Sequence, residues 1–134
     1  MATTTITAPT PGSGAVTEWG VAGATIVAGQ TVYLDTDANT YKLADCGAAA
    51  TDAAVGFALT GASSGQPIKV LTDGSIAGTG FTAGEAYFLS TTAGDICLYA
   101  DLVGGTDYIT YICTASTTGA ASVSVHVTGV QLHA

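Results

Sequence analysis

Positive charge is almost absent from this sequence. The 134 residues include two lysines, Lys42 and Lys69, and no arginine, against ten acidic residues, so the formal net charge is −8. A surface that binds nucleic acid needs cations to neutralise phosphates, and two lysines cannot form a basic stripe. The same shortage argues against attraction to an anionic membrane surface. We therefore expect no nucleic-acid partner and no membrane partner.

Cysteine is also scarce, and its pattern is not that of a disulfide framework or a zinc site. Cys46, Cys97 and Cys113 are odd in number and include no C-x-x-C spacing. Cys97 and Cys113 lie within apolar runs, where a buried thiol is the usual state. The N-terminal segment lacks the basic and apolar regions of a signal peptide, and no stretch has membrane-spanning length. These features predict a protein made in the cytoplasm.

Residues that favour surface helices are also scarce. The sequence has two lysines and two glutamates but 18 glycines and many threonines, which is typical of short strands joined by tight turns. Turn signals recur at roughly the spacing of an all-β sandwich or barrel. A single helical turn is conceivable over Ala48–Ala54. We predict strands near Val16–Val21, Thr31–Asp35, Thr40–Ala44, Ala54–Leu59, Pro67–Thr72, Gly74–Gly78, Ala86–Ser90, Asp95–Tyr99, Tyr108–Ala115 and Ser122–Leu132.

The first 14 residues differ from the rest because they carry Thr, Pro and Gly with almost no bulky apolar side chain. Because Pro9 and Pro11 argue against regular pairing, we predict an extended arm over residues 1–14, ahead of a single barrel domain over residues 15–134. Such an arm becomes ordered on a neighbour in an assembly, or is a frayed terminus in an isolated chain. The candidate partner-binding residues in it are Thr3, Thr4, Thr5, Ile6, Pro9 and Pro11.

An internal repeat suggests how the domain is organised. Ala28–Thr36 recurs as Ala83–Thr91, and each copy is followed by a turn and a second strand-like run. Two copies are too few for a solenoid, so we predict two related hairpins within one barrel. Because successive side chains in a strand alternate between faces, Tyr33, or Tyr87 with Leu89, can enter the core. The sequence leaves open whether Tyr33 and Tyr87 face the core or a partner, and both are candidate binding residues.

Four segments in order resemble the small capsid decoration (cement) proteins of tailed bacteriophages. In that family a G-x-x-V-Y-L hairpin leads to an A-x-G-x-A strand, a G-x-P-(V/I)-x-V strand and a glycine-led aromatic strand. The corresponding segments here are Gly29–Leu34, Ala54–Ala58, Gly65–Val70 and Gly84–Ser90. The resemblance covers roughly residues 15–100 and implies a β-barrel or β-tulip module that docks on the outer capsid as a homotrimer. It implies no active site.

We therefore expect a structural protein of the virion rather than an enzyme. It would bind the outer surface of a phage head and stabilise contacts between copies of the major capsid protein, after synthesis in the host cytoplasm. One alternative is a head-fibre or tail-fibre adhesin module that binds a host receptor. Another is a small hydrolase-like or ligand-carrying barrel. Trp19 is a further candidate partner-binding residue, because lone tryptophans are frequent interface anchors, although core burial is equally open.

The motifs that carry chemistry are weak. Gly61–Gly65 matches G-x-S-x-G but is followed by a strand instead of the helix that a nucleophile elbow requires, so we interpret it as a turn. Asp35, Asp37 and Asn39 resemble the start of a calcium loop without its glycine and final glutamate, so a polar hairpin turn is favoured and a bound cation stays open.

The last strand has the clearest period-two pattern, with Val123, Val125 and Val127 predicted inward and His126 outward. His126 and His133 are seven residues apart, so strict alternation points them to opposite faces and argues against a shared zinc site. We expect no metal, no cofactor and no catalytic residues.

Overall fold

Ten strands account for most of the residues that the structure describes. A computed structural model of the protein describes residues 4–47, 51–102 and 108–131. The strands are β1 (Thr7–Pro11), β2 (Val16–Val21), β3 (Thr31–Asp35), β4 (Thr40–Leu43), β5 (Ala54–Ala58), β6 (Pro67–Thr79), β7 (Ala86–Leu89), β8 (Ile96–Leu98), β9 (Tyr108–Thr117) and β10 (Ala120–Gln131). Tyr99–Asp101 form a 3-10 turn, and no α-helix occurs in the described ranges. The predicted all-β fold is confirmed. The helical turn considered over Ala48–Ala54 lies partly outside the described residues.

β6 is the organising strand, because four other strands pair with it in antiparallel register. Along one edge of β6, β2 pairs with residues 67–73 and β1 with residues 76–79. Along the other edge, β5 pairs with Val70 and Leu71, and β10 pairs with residues 73–77. The sheet therefore divides next to Thr72 into two branches, β5-β3-β4 and β10-β9-β7-β8.

A glycine lies two residues beyond this division, in the part of β6 that pairs with β10. Gly74 has a φ of +92°, and a Cβ atom on it would lie 2.4 Å from the carbonyl oxygen of Gly14. Only glycine combines this left-handed conformation with so close a backbone approach. The sequence predicted two separate strands, Pro67–Thr72 and Gly74–Gly78, and their separation was wrong. β6 continues unbroken through Gly74, which lets one strand serve both branches.

Isolated bridges join strands at the ends of the curled sheet. Ala22, directly after β2, forms a parallel bridge with Tyr41 of β4. Thr4, ahead of β1, bridges Ile96 of β8, with the Thr4 amide donating to the Ile96 carbonyl at 2.7 Å and the reverse bond at 3.1 Å. These contacts give the sheet its barrel-like curl, in agreement with the predicted barrel class.

Two buried clusters pack on opposite faces of β5 and β6. Phe57 and Leu71 are paired across these strands and belong to the larger cluster. Their neighbours Ala58 and Val70 are also paired but belong to the smaller cluster. This separation follows from the alternation of side chains along a strand. The middle of the sheet is therefore covered on both faces.

The N-terminal segment is part of the sheet. Thr7–Pro11 pairs with β6, so the expectation that its prolines prevent regular pairing was wrong. An edge strand tolerates proline because one of its edges needs no donor, and the register shifts near Ala8, whose φ is +51°. Ile6 is 1% exposed and packs in the larger cluster. Residues 1–3 lie outside the described part of the chain.

The two predicted hairpins are confirmed as β3-β4 and β7-β8. They lie at the two far ends of the strand order, and their glycine-led turns make matching contacts. The Gly29 amide donates to the Ala58 carbonyl of β5 at 2.8 Å, and the Gly84 amide donates to the Ala115 carbonyl of β9 at 2.8 Å. The pairing order β4-β3-β5-β6 is thus repeated by β8-β7-β9-β10. The repeat spans four strands in each half, of which the sequence revealed two.

Candidate binding surfaces

β2 carries an exposed apolar strip that includes the single tryptophan. Trp19 is 66% exposed, and Val16 and Val21 on the same strand are 48% and 42% exposed. Among the described residues, β2 pairs with β6 alone, apart from the bridge at Ala22 that follows it. Of the two readings left open by the sequence, the structure places Trp19 at the surface. A large aromatic ring held on a strand is a typical anchor for a protein partner.

Lys69 lies beside this ring. β2 and β6 pair Trp19 with Lys69, and the Lys69 Nζ atom is 5.9 Å from the centre of the Trp19 ring. A cation–π contact of this kind at an exposed site contributes about 0.5–1 kcal/mol. We call Trp19, Val21 and Lys69 the Trp19 surface. It combines exposed apolar area with an ammonium group on a chain of strongly negative charge.

Of the candidate residues in the N-terminal segment, Pro9 and Pro11 lie in β1, which pairs with the same edge of β6 as the strand that carries Trp19. Thr5 is exposed and its hydroxyl donates to Asp95 Oδ1 at 3.2 Å. Pro11 is exposed, whereas Pro9 is buried and, like Ile6, packs inward. Thr4 is engaged in the bridge to β8, and Thr3 lies outside the described residues. The exposed members of this group therefore extend the edge that carries Trp19.

Tyr33 and Tyr87 are not brought together with Trp19. Tyr87 is 1% exposed, its hydroxyl accepts a hydrogen bond from the Thr82 amide at 2.7 Å, and its ring meets Phe81 edge-on at 5.6 Å. Tyr33 is half-buried and packs against the larger cluster. These contacts give Tyr87 a core position, together with Leu89, which is one of the two placements that strand alternation allowed.

A crevice opens where the sheet divides. Its volume is about 430 Å³, and it lies between β5 on one branch and β10 on the other, with Thr72 and Asp73 at the point of division. Its lining includes Glu18, Leu34, Tyr41, Val55, Asp73 and Val127. Tyr41 is 5% exposed, and its hydroxyl donates to Glu18 Oε2 at 3.4 Å. Burial and the neighbouring Glu18 carboxylate raise the pKa of Tyr41, so the hydroxyl stays a donor.

The alternating pattern of the last strand predicted the position of Val123 and Val125 correctly but that of Val127 wrongly. Val123 is buried and Val125 is half-buried, as expected, but Val127 is 40% exposed. β10 pairs with β6 only as far as Ser124, so the strand leaves the covered part of the sheet before Val127. His126 is exposed, as predicted, whereas His133 lies outside the described residues.

The turn with the calcium-like start is held by an ion pair. Lys42 Nζ lies 2.7 Å from Asp35 Oδ2, and Asp35 Oδ1 accepts the amide of Asp37 at 3.1 Å. The hydrogen bond from Lys42, followed by the bond from the Ala38 amide, holds the pKa of Asp35 below its usual value. An ammonium group thus occupies one oxygen of the first acidic residue. Within the described ranges, no group of three or more His, Cys, Asp or Glu side chains is arranged to hold a metal ion.

The remaining motifs form structural contacts. Ser63 of the G-x-S-x-G match donates its amide to Gln66 Oε1 at 2.9 Å, in a turn that leads directly into β6. The three cysteines are buried thiols, and burial raises the pKa of Cys113 to about 12, which keeps that thiol protonated. Across the part of the chain that is described, no helix has the length and apolar character needed to cross a membrane.

Sequence reasoning selected Trp19 but missed Lys69, Glu18 and Asp73. Lys69 could have been singled out as one of only two lysines, but its position beside Trp19 depends on the pairing of β2 with β6, which no local pattern reveals. Glu18 and Asp73 belong to no recognisable sequence motif. They line one crevice only because the sheet divides there, between β5 and β10. Comparison with known families finds no family model that matches the chain, and comparison with curated proteins finds no significant match.

Proposed function

We propose that this protein is a capsid decoration (cement) protein of a tailed bacteriophage. In this proposal it binds as a homotrimer to the outer surface of the head and stabilises contacts between copies of the major capsid protein. It is synthesised in the host cytoplasm and ends on the virion. Catalysis has no part in this function.

The resemblance to decoration proteins supports the proposal at the level of pattern. The segments that carry it contribute β3, β5, the first part of β6 and β7. These strands include members of both repeated halves, so the resemblance follows the framework of the fold.

The observation that carries the proposal is the Trp19 surface. A side chain as large as tryptophan at 66% exposure leaves apolar area in water that a partner can cover. Burial of an aromatic anchor surrounded by smaller apolar residues is how protein interfaces obtain most of their binding energy. Lys69 adds a positive charge beside the ring that favours a partner surface with carboxylates.

Stabilisation of the shell would follow from linkage. A protein that binds the assembled shell and not its separated subunits shifts the equilibrium toward the assembled state. Because a capsid presents many equivalent positions, and a trimer binds through several contacts at once, a modest affinity per site gives a large total effect.

The test is co-sedimentation of purified protein with empty heads of the phage that encodes it. We expect the wild-type protein to bind, and Trp19→Ala to weaken binding by about 30-fold, which corresponds to an interface anchor worth about 2 kcal/mol. Tyr99→Ala is the matched control, because Tyr99 is an aromatic side chain with 52% exposure outside the Trp19 surface. Circular dichroism confirms that both variants are folded.

Wild-type protein that fails to sediment with heads would refute the proposed function. If it bound host cells instead, the adhesin alternative would replace it. Binding of wild type and Trp19→Ala with equal affinity would retain the function and remove the Trp19 surface as its anchor.

A further inference from the structure

The division of the sheet leaves two strand edges without a neighbour. β10 pairs with β6 only through Ser124, yet it runs on to Gln131 with β9 along its other edge. β5 pairs with β6 at Phe57 and Ala58 only, which leaves the edge at residues 54–55. Among the described residues no strand pairs with either of these edges, and both strands line the crevice. An unpaired edge offers backbone donors and acceptors to another extended chain.

The acidic lining of the crevice favours a positively charged side chain on such a segment. Glu18 and Asp73 both line it, and the Tyr41 hydroxyl bonded to Glu18 fixes one of the two carboxylates. Neither acid forms an ion pair within the part of the chain described here. Both residues are exposed and therefore hydrated, and a cationic side chain bound beside them would add two attractive interactions that a neutral side chain would not.

Neither of the two lysines of the chain forms an ion pair with Glu18 or Asp73. Lys42 is paired with Asp35 at 2.7 Å, and Lys69 lies beside the Trp19 ring. Trp19 and Glu18 are consecutive residues of β2, so their side chains point to opposite faces of the strand. The crevice and the Trp19 surface are therefore separate sites, and neither lysine supplies a positive charge to the crevice.

We propose that the crevice binds an extended segment of a partner protein, which adds to the free edge of β10 and places a lysine or arginine side chain between Glu18 and Asp73. The aliphatic part of that side chain would contact Leu34 and Val127, which line the same crevice. Backbone hydrogen bonds to the edge would supply affinity, and the two carboxylates would supply selectivity. This site does not depend on the capsid function proposed above.

The test uses the full chain, labelled with ¹⁵N, and a peptide probe. Acetyl-Thr-Val-Lys-Val-Thr-amide is titrated to several millimolar and the amide shifts are followed. We expect saturable changes at residues 125–130 of β10 and at Ala54 and Val55, with protection of the β10 amides from hydrogen exchange. The same peptide with glutamate in place of lysine is expected to leave these amides unchanged.

Paired variants test the carboxylates. Glu18→Gln with Asp73→Asn is expected to weaken binding of the lysine peptide by about fivefold to tenfold, as two partly exposed ion pairs would. Asp37→Asn with Glu85→Gln removes the same charge from exposed positions outside the crevice and should change the affinity by less than about twofold.

Three results would overturn the proposal. The lysine peptide could leave residues 125–130 unperturbed, the glutamate peptide could bind as well as the lysine peptide, or both double variants could weaken binding equally. None of these results bears on binding to phage heads through Trp19, so failure here is distinguishable from failure of the proposed function.

Discussion

At the scale of single residues, Asp52 is a buried acid with one carboxylate oxygen left unsatisfied within the described ranges. Its side chain is 3% exposed, and Oδ2 has no hydrogen-bond partner among the described residues. The backbone carbonyl of Asp52 accepts the Thr110 hydroxyl at 2.9 Å, which fixes the residue against β9. Burial raises the pKa of the carboxyl, because the charged form loses its hydration without gaining a counter-charge.

This burial predicts a pH-dependent effect of Asp52→Asn. The pKa in the folded state is above the ordinary value of 3.8, so the folded protein binds the proton more tightly than the unfolded chain does. The stabilising contribution of the protonated acid is complete below pH 3.8 and is lost as the pH rises through the folded pKa. We therefore expect the free energy of unfolding of Asp52→Asn, relative to wild type, to increase between pH 4.5 and pH 7.5.

Urea unfolding at several pH values measures this difference. Glu85→Gln is the control, because Glu85 is exposed and its substitution removes the same charge. A difference between Asp52→Asn and wild type that stays constant over this range would show that Asp52 is ionised in the folded protein throughout.

At the scale of elements, the sequence predicts what is local and misses what depends on partners. The bounds of β3 agree with the prediction, because a glycine-led turn, a β-branched and aromatic run and an Asp-rich turn all act within a few residues. β1 was missed because its prolines are compatible with an edge strand, and an edge position is a property of the whole sheet. The crevice was missed for the same reason, since it exists only where β6 changes partners from β5 to β10 next to Thr72.

The inclusion of the N-terminal segment in the sheet predicts a stability cost when it is altered. Ile6 is buried in the larger cluster, so Ile6→Ala leaves a cavity and should destabilise the protein by about 2–5 kcal/mol. Thr5→Ala, at the exposed neighbouring position, should cost less than about 1 kcal/mol, because it removes one exposed hydrogen bond to Asp95. Chemical denaturation of the two variants provides the measurement.

Equal stability of Ile6→Ala and wild type would show that the segment only rests on the surface. The expected cost also affects any deletion of residues 2–14 as a test of docking. Loss of head binding in such a deletion would reflect lost folding unless the shortened chain were shown to be folded. Trp19→Ala avoids this problem, because the side chain it removes is exposed.

At the scale of the whole molecule, the two buried clusters share their central strands. β5 and β6 contribute Phe57 and Leu71 to one cluster and Ala58 and Val70 to the other. Loss of either cluster would expose one face of the same two strands and remove much of what holds them in place. The larger cluster also joins the two repeated halves, because it contains Phe57 and Leu71 of one half together with Ile112 of the other.

Shared strands predict a single cooperative unfolding transition. Ile26 in the smaller cluster and Ile112 in the larger cluster are both almost fully buried, so Ile26→Ala and Ile112→Ala form a matched pair. Each should destabilise the protein by about 2–5 kcal/mol and move one transition as a whole, with an unchanged slope against urea. Far-ultraviolet circular dichroism and the fluorescence of Trp19 should give the same midpoint for each variant. If Ile26→Ala instead split the curve into an early step and a later step at the wild-type midpoint, the clusters would unfold separately, and β5 and β6 would not couple them.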